Sequence, residues 1–169
     1  MSYPIVRLRR LRNSNFIRSL VAEHKLDVND LIWPCFVVDG ERQIQSITTM
    51  PGVERYSIDT LLKKLEHVVA LGIKAIALFP SIDSKLKDKV GSQALNENNL
   101  ICRCIKAIKQ QWPDLGVIAD VALDPYTNHG HDGIYEHGHV ANDKTVEVLK
   151  QQAIILAASG ADVVAPSDM

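Results

Sequence analysis

The stretch GVIADVALDPYTNHGHDG, Gly116–Gly133, runs a short apolar segment straight into a polar loop. Gly116 to Leu123 reads as a buried strand, rich in Val, Ile and Ala. From Asp120 to Gly133, fourteen residues hold three carboxylates (Asp120, Asp124, Asp132) and two histidines (His129, His131). Side chains alternate along a strand with period two, which places Asp120, Ala122 and Asp124 on one face. Two acids on one face at a strand end, followed by a loop of His and Gly, describe a site. The competing reading is a surface loop with capping Asp and turn-forming Asn and Gly.

The pattern on either side alternates strand and helix. Leu31 to Val38 is a continuous apolar run, and Ala75 to Phe79 is a second; both read as buried strands. Ser57 stands where a helix would be capped, with Leu61, Leu62, Leu65, Val68 and Val69 as its apolar stripe and Gly72 as its stop. Asn98 to Gln111 reads as a second helix carrying Ile101, Ile105 and Ile108, ended by Pro113. Lys144 to Ala158 is a third, with Gly160 behind it, and Ala161 to Ala165 is a fourth strand. Strands about forty residues apart, each followed by a helix, predict a parallel sheet of right-handed βαβ units. Doubly wound sheets and (β/α)8 barrels both satisfy this. No Gly-x-Gly-x-x-Gly follows any strand, which weakens the dinucleotide-binding version. The acids cluster after the third strand, at the end where a barrel keeps its active site. Between the second strand and second helix, Ser81 to Asn96 is a long polar loop. Its Lys85, Lys87 and Lys89 read either as anion binders or as a solvated loop.

A formal net charge of −1 supplies no field to draw in nucleic acid or an anionic membrane. The one basic cluster, Arg7, Arg9, Arg10 and Arg12, has no aromatic platform after it, so a solvated arm or subunit contact fits better. No apolar run approaches a membrane span, and no apolar stretch follows the N-terminal arginines as in a signal peptide. The cysteines, Cys35, Cys102 and Cys104, are odd in number, and Cys102 and Cys104 point different ways on a helix. They suit neither a disulfide framework nor a zinc motif, and a cytoplasmic compartment is the expectation.

Five blocks, in order, resemble the porphobilinogen synthase (delta-aminolevulinic acid dehydratase) family. They are RLRRLR (Arg7 to Arg12), LIWPCFVVDG (Leu31 to Gly40), MPGVERYSID (Met50 to Asp59), DVALDPYTNHGHDG (Asp120 to Gly133) and ADVVAPSDM (Ala161 to Met169). The resemblance selects the barrel. A whole (β/α)8 barrel needs roughly 250 residues. The expectation is therefore an α/β fold, the N-terminal half of a (β/α)8 TIM barrel: residues 31–169 form the first four strands, preceded by an extended N-terminal arm at residues 1–30.

The resemblance implies a hydro-lyase of tetrapyrrole (heme) biosynthesis that condenses two 5-aminolevulinate molecules to porphobilinogen with loss of water. Two lysines would form Schiff bases with the keto groups. Both lie in the second half of the family's chain, so no residue here corresponds to them; Lys74 precedes the second strand, at the bottom face. On that reading residues 1–169 are inactive alone. Asp120 matches a family aspartate with a proton-shuttling or electrostatic role; the plainer alternative is a buried acid paired with a lysine. Ser167 matches a family serine beside the first substrate pocket; the alternative is a capping serine. Asp168 would support it. Zinc-dependent members carry cysteines where this chain has Ala122, Asp124 and Asp132, and soft thiolates select zinc while hard carboxylates suit magnesium. The chain thus resembles the zinc-independent type, stimulated by Mg2+. Asp124 and Asp132 either bind a hard cation or only hydrogen-bond, and His129 and His131 serve loop structure. The family's arm, matched by Met1 to Lys25, wraps a neighbouring barrel in a homo-octamer. Two other readings stand beside this one: a non-catalytic interaction or structural remnant of the enzyme, and a different class I aldolase-type barrel.

Overall fold

The computed structural model describes residues 2–6 and 8–168; Met1, Arg7 and Met169 lie outside them. In chain order the elements are α1 (Asn15–Leu20), β1 (Ile32–Val38), β2 (Ile44–Ser46), β3 (Glu54–Tyr56), α2 (Ile58–Ala70) and β4 (Ala75–Ser81). Then come α3 (Leu100–Gln111), β5 (Gly116–Val121), β6 (Tyr135–Glu136), β7 (His139–Val140), α4 (Asn142–Ala158) and β8 (Val163–Pro166).

The four long-range strands pair in parallel in the order β1-β4-β5-β8, which is also their order in the chain. A doubly wound sheet covers both faces with helices; among the described residues this sheet packs its helices on one face, and its four barrel strands follow chain order. On β1, β4 and β5 the residues facing the helices are buried, Cys35 and Val37, Ile76 and Leu78, Val117, Ala119 and Val121. They pack with Leu61, Leu65 and Val68 of α2, Ile101, Ile105 and Ile108 of α3, and Leu149 and Leu156 of α4. The opposite face presents Phe36, Phe79, Ile118 and Asp120, all only partly covered. Phe36 and Phe79 stand opposite each other in register, ring centroids 5.6 Å apart. Helices on one face and sequential parallel strands are the construction of a (β/α)8 barrel, here its first four strands and the three helices between them.

The helices end where the pattern places their stops. Gly72 and Gly160 take φ of 90° and 106°, open to glycine without a Cβ penalty. Asn99 caps α3 by accepting from the Cys102 amide at 2.9 Å, so the helix starts two residues later than its periodicity suggests. Ser57 sits at the N-cap of α2, but its hydroxyl accepts from the Gln43 amide at 2.9 Å and makes no cap bond.

Two features depart from expectation. β2 and β3 pair antiparallel, and β3 lies parallel to the upper half of β1 through Phe36↔Arg55 and Val37↔Tyr56. The outer edge of β1 is therefore half covered and not bare. The segment before β1 is also not simply extended: it folds into α1 and short 3-10 turns at Arg10–Arg12 and Val28–Asp30. Tyr3, Ile5, Leu8, Phe16, Leu20 and Leu26 are all exposed there. No helix among the described residues is long and apolar enough to cross a membrane.

Candidate active site

The site forms at the C-terminal ends of β5 and β8. Register places Asp120 opposite Ala165 and Val121 opposite Pro166. The chain leaving β8 is held by the Ser167 amide donating to the Val121 carbonyl at 3.4 Å. Ser167 is thereby delivered beside Asp120, and its Oγ donates to Asp120 Oδ1 at 2.7 Å. The serine is a partner of the aspartate and not a helix cap. No lysine pairs with Asp120 among the described residues.

β5 stops at Val121, sooner than the apolar run suggests. The amides of Tyr126 and Thr127 both return to the Leu123 carbonyl, at 2.9 and 3.0 Å, and this turn swings Asp124 over the strand end. Asp124 thus reaches the site by a turn and not by the pleat that would have put it on Asp120's face. The loop then zips to the β4–α3 connection. The Asn128 amide donates to the Asp88 carbonyl at 3.0 Å, and the Asp88 amide to the Tyr126 carbonyl at 3.3 Å.

The histidines brace this loop. His129 Nδ1 accepts from the His131 amide at 3.1 Å, so the ring proton sits on Nε2, which donates to the Lys89 carbonyl at 3.1 Å. His131 stacks on Tyr135 with ring centroids 4.3 Å apart. The brace carries Asp132 to the same point as Asp124. Asp168, just past Ser167, completes the group: one carboxylate oxygen from each of Asp124, Asp132 and Asp168 lies within 4.8 Å of the others. Asp168 Oδ2 also accepts from the Leu123 amide at 2.6 Å.

Asp120, Asp124, Asp132 and Ser167, all marked in the sequence, come together at the adjacent C-terminal ends of β5 and β8. Asp168, expected only to support Ser167, is the third carboxylate of the cluster. The available signal was its position one residue past Ser167, at the end of the neighbouring strand. Lys74 lies before β4, in a cleft with Trp112 and Asp114 at the opposite end of the sheet. The three cysteines are free and buried.

The electrostatics follow from crowding. Burial pushes the Asp120 carboxyl above the ordinary carboxylate range, and the Ser167 hydroxyl works against that rise. Asp124 is raised by burial, then by Asp168, Asp132 and Asp120, with Lys87 opposing. Asp168 is raised by burial, opposed by the Leu123 amide, and raised further by Asp132 and Asp120. A carboxyl with a raised pKa and a hydroxyl partner is suited to moving a proton. Three hard oxygen donors repelling one another are suited to a hard divalent cation.

The family model for delta-aminolevulinic acid dehydratase matches residues 5–169. The chain belongs to that family. The delta-aminolevulinic acid dehydratase of Bradyrhizobium diazoefficiens is 48% identical over 164 residues, covering 97% of this chain and 46% of that protein. That of Helicobacter pylori is 48% identical, covering 96% of this chain and 50% of that protein. A crystal structure of the delta-aminolevulinic acid dehydratase (porphobilinogen synthase) of Toxoplasma gondii, in complex with the reaction product porphobilinogen, superposes with a TM-score of 0.91. It is 44% identical, and the match covers 97% of this chain and 47% of that one. The chain spans about half the length of these dehydratases.

Proposed function

We propose that the protein is a porphobilinogen synthase, joining two molecules of 5-aminolevulinate into porphobilinogen with loss of water. The observation that carries this is the Ser167–Asp120 hydrogen bond at the mouth of a half-barrel whose fold matches a product-bound synthase. Pyrrole formation removes protons from carbon and from amine nitrogen and gives them to departing water. Asp120, partly buried and with a raised pKa, takes and returns such a proton; Ser167 holds its carboxylate in one orientation. The four barrel strands carry no lysine, so the Schiff-base nucleophiles implied by the family resemblance are not on this segment. Conversion of 5-aminolevulinate to pyrrole by the complete protein tests the reading, and trapping of a substrate imine with borohydride tests its covalent route. No pyrrole, or pyrrole without a trapped imine, sinks one or the other.

The acidic cluster supports a hard divalent cation, with Mg2+ as the natural occupant and zinc disfavoured. Asp124, Asp132 and Asp168 would hold it, with no cysteine at 122, 124 or 132 to favour zinc. A bound cation there would neutralise the mutual repulsion of the three carboxylates and offer positive charge to substrate oxygen. Activity of the complete protein should survive a zinc-selective chelator and be held or raised by Mg2+. Strict dependence on added zinc overturns the assignment.

The exposed apolar residues of the arm, Tyr3, Ile5, Leu8 and Phe16, support its docking on another subunit, and with it a homo-oligomer, an octamer by family. Three free, buried cysteines support a reducing compartment, the cytoplasm.

A further inference from the structure

Six polar side chains are buried among the described residues, and three of them, Thr127, Thr145 and Gln152, serve the loop from β5 to β6. Thr127 Oγ1 donates to the His131 carbonyl at 3.2 Å. Thr145 and Gln152 interrupt the buried stripe of α4, which otherwise reads Leu149 and Leu156. Thr145 Oγ1 accepts from the Ile134 amide at 3.0 Å, where the loop ends. Gln152 Nε2 donates to the Ala122 carbonyl at 3.0 Å, where the loop begins. One helix therefore grips both ends of the loop that carries Asp124 and Asp132.

The grip at Ala122 has a further consequence. Its carbonyl and the Leu123 N–H belong to the same planar peptide unit, and in a trans peptide they point in opposite directions. Gln152 holds the carbonyl on the α4 side. The amide is then aimed at the strand end, where it donates to Asp168 Oδ2 at 2.6 Å. A flip of this unit would take the donor from Asp168 and turn a carbonyl oxygen toward the carboxylates. Ala122 and Leu123 are buried, so no water competes for either group.

Gln152 is a costly choice for packing alone. It is 1% exposed, and its Oε1 is buried with no hydrogen-bond partner among the described residues. A methionine would fill similar volume without an unpaired acceptor. We propose that Gln152 is a positioning residue, which fixes the orientation of the Ala122–Leu123 peptide and so supplies Asp168 with its backbone donor. This deepens the reading of Asp168 as a member of the working cluster, but the orientation itself stands on the two hydrogen bonds alone.

The test is Gln152→Met in the complete protein, with amide hydrogen exchange read at single-residue resolution and a crystal structure of the variant. The expected result is an unchanged or higher melting midpoint together with exchange at Leu123 faster by at least about tenfold. Exchange in the rest of β5 and α4 stays as in the wild type, and the 122–123 peptide is rotated or split between two orientations. Divalent-cation binding, followed by Mn2+ titration, weakens by roughly tenfold, as when a partner behind a metal ligand is lost. Unchanged exchange at Leu123 and an unmoved peptide overturn the proposal, as does a rise in exchange spread evenly through β5 and α4. If the variant does not fold, Gln152→Leu is measured the same way, and failure of both to fold assigns Gln152 to stability and also overturns it. A wild type that binds no Mn2+ counts against the metal reading alone, since exchange at Leu123 decides the inference independently.

Discussion

At the scale of the residue, the site depends on groups whose charge is held at a disadvantage. Asp120 has one oxygen committed to Ser167 and sits half-buried on the concave face of β5. In the complete protein Asp120→Asn should lower kcat by about 10²- to 10⁴-fold, the usual worth of a positioned acid–base group. Ser167→Ala should cost less, roughly tenfold, and shift the pH profile upward, because the hydroxyl is what opposes the rise of the Asp120 pKa. An Asp120→Asn enzyme with kcat near the wild type would remove Asp120 from the chemistry. Asp124 gives a stability test of opposite sign from most carboxylates. Its folded pKa is raised, so the folded state holds its proton more tightly than the unfolded state does. Such a group contributes stability below its unfolded pKa and loses it as pH rises through the folded value. At pH 7 without divalent cations it opposes folding, and Asp124→Asn should raise the melting midpoint by about 2 °C. The gain should vanish near pH 4 and reverse in excess Mg2+. Thermal melts at the two pH values check this; a lower midpoint at pH 7 without cations contradicts it.

At the scale of the element, the strand ends away from the site are tied by Lys109 and Asp162. Lys109 Nζ donates to Asp162 at 2.9 Å and to the carbonyls of Pro113 and Leu115 at 2.8 and 3.0 Å. Asp162 Oδ2 accepts from the Val117 amide at 2.7 Å, which joins α3, β5 and the start of β8. The hydrogen bond from Lys109 lowers the Asp162 pKa, so this carboxylate contributes stability above its unfolded pKa and loses it as pH falls through the folded value. Asp162→Asn should destabilise by about 1 kcal/mol at pH 7, a figure discounted because the pair is partly exposed. The cost should shrink below pH about 4. Urea unfolding across pH reads this directly, and a cost independent of pH would mean the ion pair contributes nothing. Most helix and strand boundaries agree with sequence periodicity to within a few residues. β2 and β3 escaped it, since three-residue strands are too short to show a period and gain their pairing from the β1 edge.

At the scale of the whole molecule, four barrel strands and three helices leave two apolar seams. Val146, Leu149, Ala153 and Val164 line one beside β8, and Ile32, Trp33, Val68 and Leu71 line the other beside β1. Among the described residues β8 has a partner only on its β5 side, and Val163 is 49% exposed. A polypeptide limited to residues 1–169 should therefore self-associate through these seams and the free strand edge at micromolar concentration. It should also form no pyrrole, for want of lysines on its strands. Sedimentation velocity and a colorimetric pyrrole assay on that polypeptide check both; a stable monomer, or turnover above background, counts against the half-barrel reading and the assignment of the nucleophiles.

Hydrophobic periodicity is a local property, so the chain's own order of residues was enough to place the strands, the helices and the acids at a strand end. It also marked Asp120, Asp124 and Asp132, because unusual polar residues beside buried runs stand out without any partner in view, whereas Ser167 was marked only through the family resemblance. Which of these groups touch was decided only in three dimensions. The bond between Ser167 and Asp120 spans 47 residues and exists because the β5–β8 register sets the two side by side. Asp168 joined the cluster through the same register, and Asp124 through a turn that replaced the expected pleat. Gln152 left no mark in the sequence beyond a polar residue in a helical stripe. Its role rests on the direction of one peptide plane, and only the packing of α4 against the end of β5 determines that direction.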